Sequence, residues 1–115
     1  MTNAGQIGED QATRFLRKNE YKILTRNYHS RFGEIDIIAQ KNGSIVFVEV
    51  KTRSSTQFGT PREAVNYFKL QKMIKTAHIF MKVYRMTGSP FQFDVIEVIG
   101  KEEPFDIEHI KNVTL

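Results

Sequence analysis

The chain has 115 residues, no cysteine and a formal net charge of +4. That length sets one domain as the expectation and is enough to bury a core without covalent staples. The missing cysteines exclude disulfides, thiolate nucleophiles and Cys-type zinc sites. With a polar start and no apolar run of membrane-span length, the chain reads as cytoplasmic, with no membrane partner.

Residues 5–19 read as a helix, because Ala12, Phe15 and Leu16 recur at helical spacing and Asn19 is a natural stop. Glu9 lies on or beside the inward face of that helix. It is either a core-boundary carboxylate or a side chain aimed into a site. Residues 21–28 are strand-like.

A hairpin follows. Lys41-Asn42-Gly43-Ser44 separates two β-rich runs, 34–40 and 44–52, and Asn-Gly accepts the positive φ values of a type I′ turn. Centring the turn there pairs Lys41 with Ser44, Ile38 with Phe47, Asp36 with Glu49 and Glu34 with Lys51. Two carboxylates then stand side by side next to an ammonium. Like charges directly opposite destabilise a sheet, and a divalent cation held by both would offset that cost. Slipping the register by one residue would throw them onto opposite faces. Ile45-Val46-Phe47-Val48 is apolar on both faces, as in a central strand.

Residues 53–59 form a polar loop. Thr60-Pro61-Arg62-Glu63 then carries a capping box with proline at the first helical position, and the helical period continues to about Met86 before Gly88-Ser89-Pro90. Residues 91–99 read as a strand and 107–115 as a short last one. The result is an α/β fold of order α-β-β-β-α-β-β, a mixed sheet flanked by helices.

Asp36, Glu49 and Lys51 make the sharpest constellation. Glu49 and Lys51 are two apart on one strand and share a face. Mg²⁺ or Mn²⁺ needs only a few protein oxygens, so Asp36, Glu49 and the carbonyl of Val50 form a candidate metal set. Glu9 is a candidate further ligand, direct or through water. Lys51 beside the ion would position a water or stabilise developing charge. The plain alternative is a Glu34–Lys51 surface pair with Asp36 and Glu49 solvated. Arg26, Arg31, Arg53, Lys69 and Lys72 are candidate phosphate contacts, or ordinary surface charge.

The basic residues crowd the first third and the long middle helix, while acid collects between Glu97 and Glu108, a segregation that suits a polyanion. His29, His78 and His109 lack zinc spacing. Asp94 interrupts an apolar strand, as a polar anchor for a backbone amide or as a site residue, with the structural role preferred.

Together these pieces resemble the P-D-(D/E)-x-K nuclease superfamily, with Glu9 on a first helix, Asp36 on one hairpin arm and Glu49-x-Lys51 on the other. Ile35 stands where the named motif has proline, a position known to vary. More closely, the chain resembles the YraN family of small bacterial proteins. That resemblance runs through Gly8-Glu9, Arg26-Asn27, Gly33-Glu34-Ile35-Asp36, residues 47–53, Gly59-Thr60-Pro61, Lys69, Lys72 and Phe93-Asp94-Val95.

The superfamily resemblance implies one restriction-endonuclease-like, nuclease-like domain over 1–115. It implies Mg²⁺- or Mn²⁺-dependent hydrolysis of phosphodiester bonds, with DNA, including branched DNA, as substrate. Asp36 and Glu49 would be ligands, Lys51 the catalytic lysine and Glu9 an accessory carboxylate. A homodimer would supply the paired sites for cutting two strands. A non-catalytic nucleic-acid-binding module on the same fold, and a scaffold acting through its acidic tail, are the alternatives.

Overall fold

The structure, a computed structural model, describes residues 4–54 and 67–113. It contains α1 (Ala4–Lys18), β1 (Lys22–Ser30), β2 (Gly33–Lys41), β3 (Ser44–Arg53), α2 (Tyr67–Val83), β4 (Phe91–Ile99) and β5 (Asp106–Ile110). This is the expected order, and it is compatible with a restriction-endonuclease-like fold. The Thr60–Glu63 capping box and most of the 53–59 loop lie outside the described residues.

The five strands lie side by side in chain order. β1–β2, β2–β3 and β4–β5 are antiparallel, while β3–β4 is parallel. A parallel pair needs a long crossover, and α2 lies within it. The hairpin turn is the expected one: Asn42 and Gly43 take φ of 53° and 79°, and the ladder pairs Lys41 with Ser44 and Ile38 with Phe47.

Strand β3 explains the layering. Val46 and Val48 pack with Ala12 and Leu16 of α1, whereas the alternate residues Ile45 and Phe47 pack with Ala77, Phe80 and Met81 of α2. Period-two alternation therefore sends the two helices to opposite faces of the sheet. A third cluster joins Leu70 and Met73 of α2 to Val95 and Val113.

Helix ends depart from expectation by a few residues. After α1, Glu20 takes φ 69° and the Tyr21 amide donates back to the Leu16 carbonyl at 2.9 Å. After α2, Arg85 takes φ 56° and the Met86 amide donates to Met81 at 2.7 Å. Both are left-handed terminations that satisfy orphan carbonyls. α2 thus stops at Val83, before the Gly88-Ser89-Pro90 breaker.

The last strand also differs from the expected 107–115. It ends at Ile110 because Asn112 turns at φ 55° and donates its amide to Asp94 Oδ1 at 2.9 Å. Asp94 is buried, and its Oδ2 lies 2.7 Å from His109 Nε2. It is the structural anchor preferred from the sequence.

Candidate active site

The candidate site lies where β2 and β3 part. Their ladder ends at Ile37–Val48. Asp36 and Glu49 are therefore not ladder partners, nor are Glu34 and Lys51, which corrects the simple extrapolation of the hairpin register. The Glu34 carboxylate instead lies 3.2 Å from His29 Nδ1. In place of the next ladder bond, the Val50 amide donates to Asp36 Oδ2 at 2.8 Å. The N–H and C=O of one strand residue point to the same side, so the Val50 carbonyl is also directed into this fork.

The strand itself turns over here. Ile35 packs in the cluster under α2, and Ile37 in the cluster under α1, although residues two apart on a regular strand share a face. On the neighbouring strand, Asn27 takes φ 53°. Asp36 consequently borders spaces on both sides of the sheet.

On the α2 side, Asp36, Glu34 and Glu49 line a cleft of about 510 Å³ with Phe68, Lys69 and Lys72. Glu49 is buried, and Lys69 Nζ of α2 forms a tight ion pair with its Oε1. Burial, and next the Glu49 charge, push the Asp36 carboxyl up to about 7, although the Val50 amide pulls the other way. Burial, followed by the Lys69 charge, lowers the Lys51 ammonium. The site therefore holds two acidic groups that resist being ionised together, beside two ammoniums that crowd each other.

On the α1 side, Glu9 and Asp36 line a second cleft of about 420 Å³ with Val50 and Thr52. Glu9 is buried, and its Oε1 accepts from Arg26 Nε at 2.8 Å and from Asn27 Nδ2 at 2.9 Å. Arg26 also reaches Asp10 Oδ1 at 2.6 Å. α1 sits close enough for this because it carries glycine at the crossing: a Cβ on Gly8 would lie 1.9 Å from Thr52 Oγ1.

Asp36 thus stands between Glu49 on one face and Glu9 on the other. Among the described residues, no three His, Asp or Glu side chains converge on one point that could hold an ion. Asp36 is the shared donor: it lines one cleft with Glu49 and the other with Glu9 and Val50, whose carbonyl lies on the same strand edge as the amide bonded to Asp36. This set fits a hard cation that keeps several of its own waters.

Of the remaining sequence candidates, Lys69 and Lys72 line the Asp36–Glu49 cleft, whereas Arg26, Arg31 and Arg53 do not. Arg26 is engaged by Glu9 and Asp10. Arg53 Nε lies 2.9 Å from the fully buried Glu97 carboxylate. Lys69 is on Glu49. Arg31 and Lys72 are exposed at the β1–β2 turn, where Lys72 Cβ lies close over Gly33. The guanidinium of Arg31 sits 4.8 Å from the Phe32 ring centroid.

Sequence reasoning missed the roles of Asn27 and Glu97, and the pairing of Lys69 with Glu49. Asn27 stands beside Arg26 in one of the motifs that carry the family resemblance, and asparagine is among the residues most tolerant of positive φ after glycine. Glu97 and Lys69 carry no local signal, since each is defined by a partner on another element.

Residues 8–98 match the sequence model of uncharacterised protein family UPF0102. The chain belongs to the UPF0102 family. It is 45% identical over 108 residues to a UPF0102 protein of Persephonella marina, covering 94% of this chain and 90% of that one. It is 44% identical over 108 residues to a UPF0102 protein of Syntrophomonas wolfei, covering 94% of each. A third, from Alkaliphilus oremlandii, is 47% identical over 110 residues, again with 94% of each chain covered. The expected YraN-like membership is borne out by these matches. The UPF0102 match begins at Gly8, the glycine that admits α1 to the sheet, and spans Glu9, Asp36, Glu49, Lys51 and Lys69. No helix among the described residues is long and apolar enough to cross a membrane.

Proposed function

We propose that this UPF0102 protein is a cytoplasmic, metal-dependent nuclease that hydrolyses phosphodiester bonds in DNA. The observation that carries the reading is the fork: Asp36 and Glu49 line one cleft, the Val50 backbone is tied to Asp36, and Lys51 follows Glu49 on the same strand. Asp36, Glu49 and the Val50 carbonyl would hold Mg²⁺ or Mn²⁺. Such an ion supplies Lewis acidity and makes a bound water more acidic.

The chain's own residues do the rest. Asp36 must give up its proton to act as a ligand, and its raised pKa makes that step pH-dependent near neutrality. Lys51, whose ammonium is pushed down by burial and next by Lys69, would donate to the oxygen on which charge develops or orient the attacking water. Lys69 balances the Glu49 charge and would give way when an ion takes that carboxylate. Glu9, fixed by Arg26 and Asn27, lines the cleft on the far side of Asp36.

The test is incubation of the full chain with linear, supercoiled and branched DNA in Mn²⁺ and in chelator. Cleavage that needs the ion and is lost in Asp36→Asn and Lys51→Ala is expected. Intact DNA across the whole panel, with the protein folded, would refute it.

One observation favours a second reading, a nucleic-acid-binding module without catalysis. The Lys69–Glu49 pair balances the Glu49 charge without any metal. Salt-sensitive binding that is indifferent to chelator and to Asp36→Asn would select it.

A further inference from the structure

We infer that Phe68, backed by Tyr67, is a stacking platform for an unpaired nucleobase at the mouth of the Asp36–Glu49 cleft. The nucleic acid taken by this site is then one that presents a single-stranded nucleotide. The inference rests on the nucleic-acid reading above and deepens it by naming the substrate class.

Phe68 is 76% exposed and Tyr67 59% exposed, in the first described turn of α2. Their rings meet edge to face with centroids 5.6 Å apart, so Tyr67 steadies a ring that solvent would otherwise leave free. Scattered exposed apolar residues are ordinary. These two are adjacent, and Phe68 forms part of the wall of the cleft that contains Asp36 and Glu49.

The surroundings select the occupant. Lys72, one turn after Phe68, is exposed and lines the same cleft. At the neighbouring turn, Arg31 and Lys75 both lie over the Phe32 ring, at 4.8 and 5.1 Å, and both are exposed. An apolar protein segment laid on Phe68 would meet these cations and the carboxylates beyond. A nucleotide matches both parts: its base has a π-face for Phe68 and its phosphates suit Lys72, Lys75 and Arg31. The cleft, about 510 Å³, has the size of a small-molecule pocket. A continuous duplex keeps its base faces stacked on one another and offers none to Phe68.

The experiment uses the full chain in chelator, so that it is independent of hydrolysis. The sequence has no tryptophan, so Phe68→Trp carries a single fluorescent reporter at the platform. Quenching on addition of oligodeoxythymidylate, with little response to a blunt duplex of equal length, is expected. Phe68→Ala should weaken single-strand binding on the order of 10-fold, with duplex binding nearly unchanged. Lys72→Ala should weaken both alike and flatten the salt dependence.

Equal single-strand affinity in Phe68→Ala and wild type, or no quenching in Phe68→Trp when the oligonucleotide binds, overturns the inference. Quenching that follows protein concentration instead of oligonucleotide also overturns it, and marks a self-association surface. Metal-dependent cleavage without quenching removes the platform and leaves the nuclease reading. Quenching without cleavage does the reverse.

Discussion

The amide of Val50 donates to the carboxylate of Asp36 at 2.8 Å, one step beyond the last rung of the β2–β3 ladder. This bond substitutes a side chain for a strand. It holds the mouth of the fork open at a set width, aims the Val50 carbonyl inward, and keeps Asp36 beside Glu49 despite their repulsion.

That repulsion has a pH signature. The Asp36 carboxyl rises from 3.8 to about 7 on folding, through burial first and Glu49 second. A carboxyl raised by folding contributes stability that is full below the unfolded value and is lost as pH rises through the folded one. The window is therefore about pH 4 to 7. Asp36→Asn keeps an acceptor for the Val50 amide and carries no charge. It should melt a few degrees higher than wild type at pH 8, with the gap closing near pH 4, as read by thermal denaturation. A variant less stable than wild type at pH 8 contradicts this.

The Lys69–Glu49 pair makes a second prediction. Removing the ammonium leaves a buried carboxylate without its counter-ion, a strongly destabilising change. Lys69→Ala should melt several degrees lower than wild type at neutral pH. Because the ammonium competes with a cation for Glu49, millimolar Mn²⁺ should stabilise the variant more than wild type. Equal Mn²⁺ shifts in the two proteins would show that Glu49 is no ligand.

Lys51 is expected to act on the reaction and not on affinity. Its pKa is lowered by burial and then by Lys69, which marks a group held where it is poorly solvated. Lys51→Ala should reduce DNA cleavage on the order of 100- to 1,000-fold, while DNA binding measured in chelator stays near wild type. A parallel loss of binding would reassign Lys51 to ground-state binding of the nucleic acid.

Gly8 sets the approach of α1. With a Cβ 1.9 Å from Thr52 Oγ1 and 3.2 Å from Thr52 Cβ, Gly8→Ala must push the helix or the end of β3 aside. Overpacking of this kind costs about 1–3 kcal/mol in chemical denaturation. Adding Thr52→Ser should recover much of that cost, since serine can turn its hydroxyl into the place of the methyl, which lies 3.5 Å from that Cβ.

Arg26 was a candidate phosphate contact, but its guanidinium is spanned by Glu9 and Asp10. Arg26→Ala should therefore cost about 1–3 kcal/mol of stability by stripping the buried Glu9 of a charged donor. The salt slope of DNA binding should not change. A reduced slope would show that Arg26 leaves Glu9 to meet phosphate.

The sequence by itself determined the features that depend on near neighbours. Asn42-Gly43 set the hairpin and the register of its first rungs, because positive φ at two successive positions admits few residues. The apolar run of β3 announced a strand covered on both faces. The order of helices and strands, and the motifs around Glu9, Asp36 and Glu49-x-Lys51, were legible because each rests on a short local pattern. The end of α2 and the short β5 were misjudged because Arg85 and Asn112 adopt left-handed backbone under restraint from distant or adjacent turns.

Only the tertiary structure decided the site's inner arrangement. A hairpin register extrapolates until something interrupts it, and nothing near Asp36 in the chain says that its carboxylate will take the Val50 amide and split the strands. Glu9 meets Arg26 and Asn27, Glu49 meets Lys69, and Arg53 meets Glu97, each across elements that only packing brings together. Charge energies fall off with distance in space, not along the chain. For that reason the sequence could name the residues of the fork, while their partners, and the raised pKa of Asp36, were settled by the fold.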